Sequence, residues 1–336
     1  MALWTDVIDP ATLTGYVRES LAAQEARKGS LAAFLPNRTV PDVVARFVAG
    51  SSGLVDEAQF RAYDAEPAIG KGEGGKRVTI ELPALGQNIP VSEYQQLRTR
   101  NVSDEAMLGG ILGTADRVVR AVSDRIERLR GTVLVTGKAT ITGFGDDDFG
   151  RISSHTVTAS ALWATASVDR LADLQTWYDL YVETNGVEPG ALVMSNRAFR
   201  ALAAGDQFQT QLLNGVSRPS TEADVRSVIS GAGLPEIVKY DRRTSAGRVV
   251  PDDRILFLPA PVGSDGFGAT QLGATFWGQT LTSTLPEFGI EDSEQPGIVA
   301  GVYRNDKPPA IAEVISDAIA LPVLANANLS LAAKVL

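Results

Sequence analysis

Apolar residues recur through the middle of the chain at alternating steps of four and three: Leu108, Leu112, Ala115, Val119, Val122, Ile126, Leu129 and Val133. That spacing follows one face of an α-helix and predicts a single continuous helix over 104 to 136, about 50 Å long at 1.5 Å per residue. Gly109, Gly110, Gly113 and Gly131 each oppose it by about 1 kcal/mol relative to alanine. Burying the apolar stripe returns on the order of 10 to 15 kcal/mol gross, so the stripe wins. Ser103 is the expected N-cap and Asp104 and Glu105 suit the first turn; Gly131, before the strand-like "TVLV", and Gly137 are equally good stops, and Val133 keeps the helical period as far as Gly137.

Other stretches have different periods. Asp9 before Pro10 marks a helix start, and Leu13, Val17 and Leu21 then share a face until Gly29. From 36 to 95 the pattern alternates: "VVARFVA" (43–49), "AQFRAYDA" (58–65) and "RVTIEL" (77–82) read as strands of an extended two-stranded arm. "EPAIGKGEGGKR" (66–77) would be its glycine-rich tip. After the long helix, "ATIT" and "RISSHTVT" are expected to pair as a hairpin around "GFGDDDFG". Ser167 should cap a second amphipathic helix with Leu171, Leu174, Tyr178 and Tyr181 on one face and Gly186 at its end. A mixed segment of strands and helices follows, and from about residue 288 the chain returns to strand-like runs such as "IVAGVY", "AIAEVI" and "LSLAAKVL". The fold class is α+β.

Composition narrows the chemistry. The chain has no cysteine and one histidine, His155, which removes thiol nucleophiles, zinc–thiolate sites and multi-histidine metal sites. Net charge is −9 and the pI is near 4.8, and no basic face of the kind that grips nucleic acid stands out. "MALWTDVIDP" lacks a basic n-region, so a signal peptide is not expected. The charge-free stretch 318 to 333 is broken by Pro322, Asn326, Asn328 and Ser330, and 266 to 286 is rich in Gly, Thr and Gln, so neither reads as a membrane span.

The candidate sites are weak. "GKGEGG" at 70–75 has dinucleotide-motif spacing, but a strand follows it instead of a helix, so it reads as a loop tip. Asp146, Asp147 and Asp148 could hold a hard cation, yet adjacent carboxylates in a turn are usually just solvated. His155 beside Ser153 and Ser154 lacks an orienting acid and an oxyanion hole, and it reads as a structural or surface residue. Trp163, Trp177, Tyr178 and Tyr181 read as core. No catalytic residue, cofactor or metal is expected.

The order of elements carries more information: short arm, long hairpin, very long helix, hairpin, second helix, mixed domain, returning strands. This order resembles the major capsid protein of tailed bacteriophages, the Hong Kong 97 fold, and more narrowly the phage lambda-like major head proteins. The residues that carry the resemblance are "LVTGKATITG" (134–143), "FGRI" (149–152), "ALVMSNRAFRAL" (191–202), "VPDDRILFLP" (250–259) and "AIALPVLANANLSLAAKVL" (318–336). The similarity spans nearly the whole chain.

The resemblance implies an N-arm (1–35), an E-loop (36–95), a peripheral domain (96–186 and 287–336) with its spine helix at about 104–136, and an axial domain (187–286). It implies a non-enzymatic shell protein that assembles with itself as hexamers and pentamers in the host cytoplasm. The resulting icosahedral virion shell would enclose double-stranded DNA, and an acidic interior would let that DNA slide. No long N-terminal scaffolding extension is present, so a separate scaffolding protein is implied, with a portal and room for a decoration protein. Lys71, Glu73, Lys76 and Arg77, near the E-loop tip, are the expected intersubunit contacts; no asparagine partner for covalent crosslinking is matched. An encapsulin-like compartment shares the fold and stands as the alternative, ahead of a small-molecule enzyme. Gene neighbourhood separates the first two, and a ligand-dependent melting shift of a monomer would favour the third.

Overall fold

The computed structural model describes residues 2–6, 8–49, 76–100, 104–141, 145–165, 167–208, 220–262, 271–305 and 307–336. Strand β1 (Ala2–Leu3) leads to helix α1 (Pro10–Lys28), capped by the Asp9 carboxylate and closed at Gly29, which has φ +68°. Strands β2 (Asn37–Thr39), β3 (Val44–Ala49), β4 (Lys76–Glu81) and β5 (Ala84–Val91) follow, then helices α2 (Glu93–Arg100) and α3 (Asp104–Thr136). Next come β6 (Lys138–Ile141), β7 (Gly145–Asp148), β8 (Thr156–Thr158), α4 (Arg170–Asn185), β9 (Ala191–Met194) and α5 (Asn196–Ala203). The chain continues through α6 (Glu222–Gly231), β10 (Glu236–Lys239), β11 (Arg243–Thr244), β12 (Gly247–Arg248), β13 (Arg254–Leu258) and β14 (Gly273–Gly278). It closes with β15 (Val299–Arg304), β16 (Ala312–Leu324) and β17 (Leu331–Lys334).

Two sheets organise these elements. The larger runs β1-β15-β16-β14-β2, with β5 also paired to β16. The first half of β16 lies between β15 and β5, and its second half pairs with β14. The smaller sheet runs β10-β9-β13-β17-β8, antiparallel in its middle and parallel at both edges.

Helix α3 bridges two cores. Ile111, Ala115, Val118, Val119, Val122 and Ile126 pack with Leu13, Val17 and Leu21 of α1 and with Val302, Val314 and Ala318 of the larger sheet. Leu129, Val133, Leu134 and Val135 belong instead to the core around the smaller sheet. One rigid rod therefore fixes the distance between two packed bodies, which a flexible connection could not do.

The expected helix runs without a break across its glycines to Thr136. Gly137, at φ +72°, takes the left-handed turn, and its N–H donates to the Val133 carbonyl at 2.8 Å. Arg151 then donates to the carbonyls of Leu134 and Val135 at 2.8 and 2.5 Å, a cation placed at the negative end of the helix dipole. Burial, followed by the nearby Arg254, brings the Arg151 pKa down to about 10. Ser103, the expected cap at the other end, lies outside the described residues.

Several local expectations change. The hairpin after α3 pairs β6 with the acidic run itself, Lys138 opposite Asp148, and not with "RISSHTVT". Lys138 Nζ lies 2.7 Å from the Asp148 carboxylate, an exposed cross-strand ion pair that matches this register. "RISSHTVT" becomes a short 3-10 turn, Ser153–His155, and strand β8 on the smaller sheet. Helix α4 is capped by Asp169, whose carboxylate accepts from the Ala172 N–H at 3.0 Å, and not by Ser167. Residues 84–91, read as part of the arm, form a strand of the larger sheet. The expected strand 58–65 lies outside the described residues.

Candidate functional site: a buried ionic junction on the long helix

At residues 123 to 130, α3 carries two acids and an arginine on the side facing the protein, where an apolar stripe would be continuous. Glu127 and Arg130 are wholly buried. The Glu127 carboxylate accepts from the Leu31 N–H at 2.7 Å, Ser30 Oγ at 2.8 Å, Tyr240 Oη at 2.5 Å and Arg130 Nη1 at 2.9 Å. Arg130 also donates to the Glu25 carboxylate at 2.6 Å, Thr275 Oγ1 at 2.9 Å and Asn37 Oδ1 at 2.5 Å. Asn37 Oδ1 further accepts from Trp277 Nε1 at 2.9 Å, and the Thr275 hydroxyl donates to the Leu35 carbonyl. Nearby, Arg242 donates to Asp124 at 2.9 Å and Ser123 at 3.0 Å.

Burial pushes the Glu127 carboxyl up, but Arg130, the Tyr240 hydroxyl, the Leu31 amide and Arg242 together outweigh it and hold the pKa below the usual glutamate value. Burial likewise works against the Arg130 cation, and Glu25 and Glu127 overcome it. Tyr240 is pushed far up, first by burial and then by Glu127, so it stays a hydroxyl donor. The charged state is therefore the resting state of the junction.

A buried ion pair is rarely worth more than an apolar pair of the same shape, but removing one partner is costly. Its value here is geometric. One stretch of α3 is keyed to α1 through Glu25, to the following turn through Ser30 and Leu31, to β2 through Asn37, to β14 through Thr275, and to the segment after β10 through Tyr240 and Arg242. A helix that slid by one turn would break every one of these contacts to α3 and strand Glu127 and Arg130, so the junction fixes its register and tilt. Sequence reasoning missed it because each member is ordinary alone. The available signal was a glutamate and an arginine, Glu127 and Arg130, inside the turn where the stripe passes through Ile126 and Leu129.

The residues singled out from the sequence do not converge on this junction or on one another. His155 is buried, with its ring stacked on Tyr181 at 6.0 Å between centroids, and burial is the main cause that lowers its pKa, so the imidazole is neutral core. Trp163 and Trp177 stack at 6.2 Å. Asp146 and Asp147 face solvent, and among the described residues no three acids or histidines converge as metal ligands. Lys76 and Arg77 begin β4, opposite Ala49 and Val48. Lys71 and Glu73 lie outside the described residues, as does "GKGEGG".

This two-sheet plan with a bridging helix is a capsid fold. It is similar to a protein of E. coli CFT073 described as the capsid protein of a prophage, with TM-score 0.61 and 15% identity over 98% of this chain and 99% of that one. A phage-related protein of Bordetella bronchiseptica RB50 is as similar, with TM-score 0.61 and 15% identity over 99% of this chain and 97% of that one. The capsid of the cyanophage P-SCSP1u matches at TM-score 0.50 and 10% identity over 91% of this chain and 88% of that one. No curated protein matches the sequence.

The sequence itself settles the family. Residues 31–284, more than half the chain, match phage major capsid protein E, and the chain belongs to that family. It is a structural capsid protein of a tailed phage that assembles with copies of itself into a shell, and its place is the virion. Among the described residues, no helix is long and apolar enough to cross a membrane.

Proposed function

We propose that the chain forms hexamers and pentamers of an icosahedral head that encloses double-stranded DNA. Assembly would take place in the host cytoplasm with a separate scaffolding protein, a portal and room for a decoration protein. The observation that carries this reading is the rod-and-junction construction: α3 ties two cores together and the junction locks its register. A shell needs a subunit whose shape is the same in every copy. The family match favours a phage head over a cellular compartment, and the kinship we propose within it is with lambda-like head proteins.

The division into N-arm, E-loop, peripheral and axial parts is part of this proposal, with both sheets crossing its boundaries at β8, β14 and β17. The ribbon of β3 and β4 supports an intersubunit role for the E-loop. Among the described residues these two strands pair only with each other, and Ala45, Ile80 and Phe47 pack the ribbon on its own subunit while its outer strand edges stay unpaired. Its far end begins with Lys76 and Arg77, and with Lys71 and Glu73 they are proposed to meet a neighbouring subunit.

The test is electron microscopy of the expressed protein with and without scaffolding protein, on wild type and on Lys76→Glu/Arg77→Glu. Expected are closed shells, or tubes and sheets when scaffold is absent, from the wild type. The double variant should keep its subunit melting temperature within about 2 °C and lose particle yield, since exposed polar contacts are worth about 0 to 1 kcal/mol each but recur in every copy. Compact monomers under all conditions would overturn the assembly reading. Normal particles from the variant would overturn the contact.

A further inference from the structure

Along α3 after Glu105 each acid is held by a partner within the protein, whereas of the five arginines only Arg130 is buried and ion-paired. Asp116 accepts from Tyr16 Oη at 3.0 Å and Ser20 Oγ at 2.7 Å, Asp124 takes Arg242, and Glu127 is buried in the junction. Arg117, Arg120 and Arg125 are exposed and Arg128 is half-buried. None of these four joins an ion pair among the described residues. At 100° per residue they fall within an arc of about 140°, over about 17 Å of helix, on the side away from Arg130. From residue 106 to 136 every exposed charged side chain is an arginine, in a chain whose net charge is −9.

The rest of that face is small or polar, Gly110, Ala121 and Thr132, and includes one half-buried carboxylate, Asp124, which is paired to Arg242. None of the large exposed apolar side chains lies on α3. A protein partner generally needs a desolvated apolar or aromatic centre, and this face offers none. Phosphates need only charge and forked donors, which arginine supplies. Duplex DNA carries about one negative charge per 1.7 Å of axis over both strands, so a stretch of about 17 Å carries roughly ten phosphates, of which the side facing the helix is enough for four arginines.

We infer that the arginine face of α3 is a sequence-independent phosphate-binding surface that lies against the enclosed double-stranded DNA in the filled head. This rests on the proposed enclosure of DNA and adds an orientation: the outer side of the long helix faces the shell interior, which along this helix is then basic and not the acidic lining expected from net charge. An otherwise acidic chain then holds the genome at a repeated line of four cations, through contacts that do not depend on sequence.

Two measurements decide it. In the first, purified subunits bind a random duplex of about 30 base pairs across a salt series, as wild type, as Arg125→Gln, and as Arg117→Gln/Arg120→Gln/Arg125→Gln/Arg128→Gln. Each lost phosphate contact should lower the slope of log affinity against log salt by about 0.9. The quadruple variant should therefore lose about 3 to 4 in slope and at least tenfold in affinity near 50 mM salt, equally for unrelated duplexes. Unchanged melting of the variant subunits confirms that the loss is local, and Arg125→Gln keeps the test alive if the quadruple variant does not fold.

In the second, a photoreactive maleimide is placed on Arg120→Cys, the only cysteine in such a chain, before assembly and filling. Crosslinking to DNA in filled heads is expected. An unchanged salt slope, or crosslinks that join only coat chains, would overturn the inference; the latter would make this face a contact between copies. If no DNA-filled shell forms, the enclosure reading fails, and the subunit binding series still decides whether the face takes phosphates.

Discussion

Glu127 and Arg130 stand three residues apart on the long helix, 2.9 Å from each other, and neither side chain reaches solvent. On an exposed helix such a pair contributes a few tenths of a kcal/mol. Buried, each group depends on the other and on the partners that satisfy its remaining valences. Glu127→Ala should therefore cost about 3 to 5 kcal/mol, because it leaves the buried Tyr240 hydroxyl and Leu31 N–H without their acceptor and Arg130 with Glu25 as its one remaining carboxylate. Urea unfolding of dissociated subunits measures it; a loss below about 1 kcal/mol would mean that the junction is not the keystone described above.

The same carboxylate predicts an acid limb. Its folded pKa lies below the ordinary value of 4.5, so the unfolded chain takes up the proton first as pH falls. Its stabilisation is complete above about 4.5 and is lost as pH drops from there through the folded pKa. Unfolding free energy measured from about pH 3 to pH 6 should fall less steeply toward acid in Glu127→Gln than in wild type, from a lower plateau.

His155 predicts a second limb at higher pH. Its pKa is depressed below 6.5, chiefly by burial, so its stabilisation is present above 6.5 and declines as pH falls through the folded value. His155→Phe keeps the stacking on Tyr181, so stability above pH 7 should change by less than about 1.5 kcal/mol, with that limb removed. His155→Ala should cost about 2 to 4 kcal/mol by opening a cavity.

The glycines of α3 separate packing from propensity. A Cβ on Gly131 would come within 2.4 Å of the Val249 carbonyl oxygen, whereas one on Gly110 meets nothing within 4 Å. Gly110→Ala should stabilise by about 0.5 to 1 kcal/mol. Gly131→Ala should destabilise by about 1 to 3 kcal/mol in spite of its better helix propensity. Equal melting shifts for the two would contradict the close approach of Val249.

Val122 is 2% exposed in the core that α1, α3 and the larger sheet share. Val122→Asp places an unpaired carboxylate there, at a cost of several kcal/mol against a typical total of about 5 to 15. The variant should be recovered as insoluble chain. Soluble, cooperatively melting subunits would refute the stripe.

The long helix was legible because eight apolar residues at helical spacing outvote four glycines, and α1 because Asp9, Pro10 and Gly29 punctuate it. Residues 145–148 were not legible as a strand because runs of aspartate are poor strand formers; the ladder to 138–141 forms through the backbone, with Lys138 and Asp148 paired across it. Ser167 was chosen as a cap by residue type, where Asp169 sits closer to the first turn and accepts its N–H. The junction was invisible for a different reason: Glu25, Asn37, Tyr240, Arg242 and Thr275 reach α3 from distant parts of the chain, and no local pattern records that. The arginine face lay in plain view in "RVVRAVSDRIERLR", but its sign emerges only once the structure shows Asp116, Asp124 and Glu127 held by Tyr16, Arg242 and the Leu31 N–H.

Strand β16 sets a clock on biosynthesis. It supplies the middle of the larger sheet, yet its partner β5 is translated far earlier: the Gln87 N–H donates to Ser316 Oγ across 229 positions of chain. At about 5 to 20 residues per second, β5 waits on the order of 10 to 45 s at the ribosome without its neighbour. Throughout that wait the apolar side of α3 has no sheet to rest on, and the edges of β5 are open to any strand nearby. A polysome making many copies at once therefore holds its products in the state most able to pair wrongly with one another. The residues that close the larger sheet decide whether a copy reaches the shell as a finished tile or as a tangle.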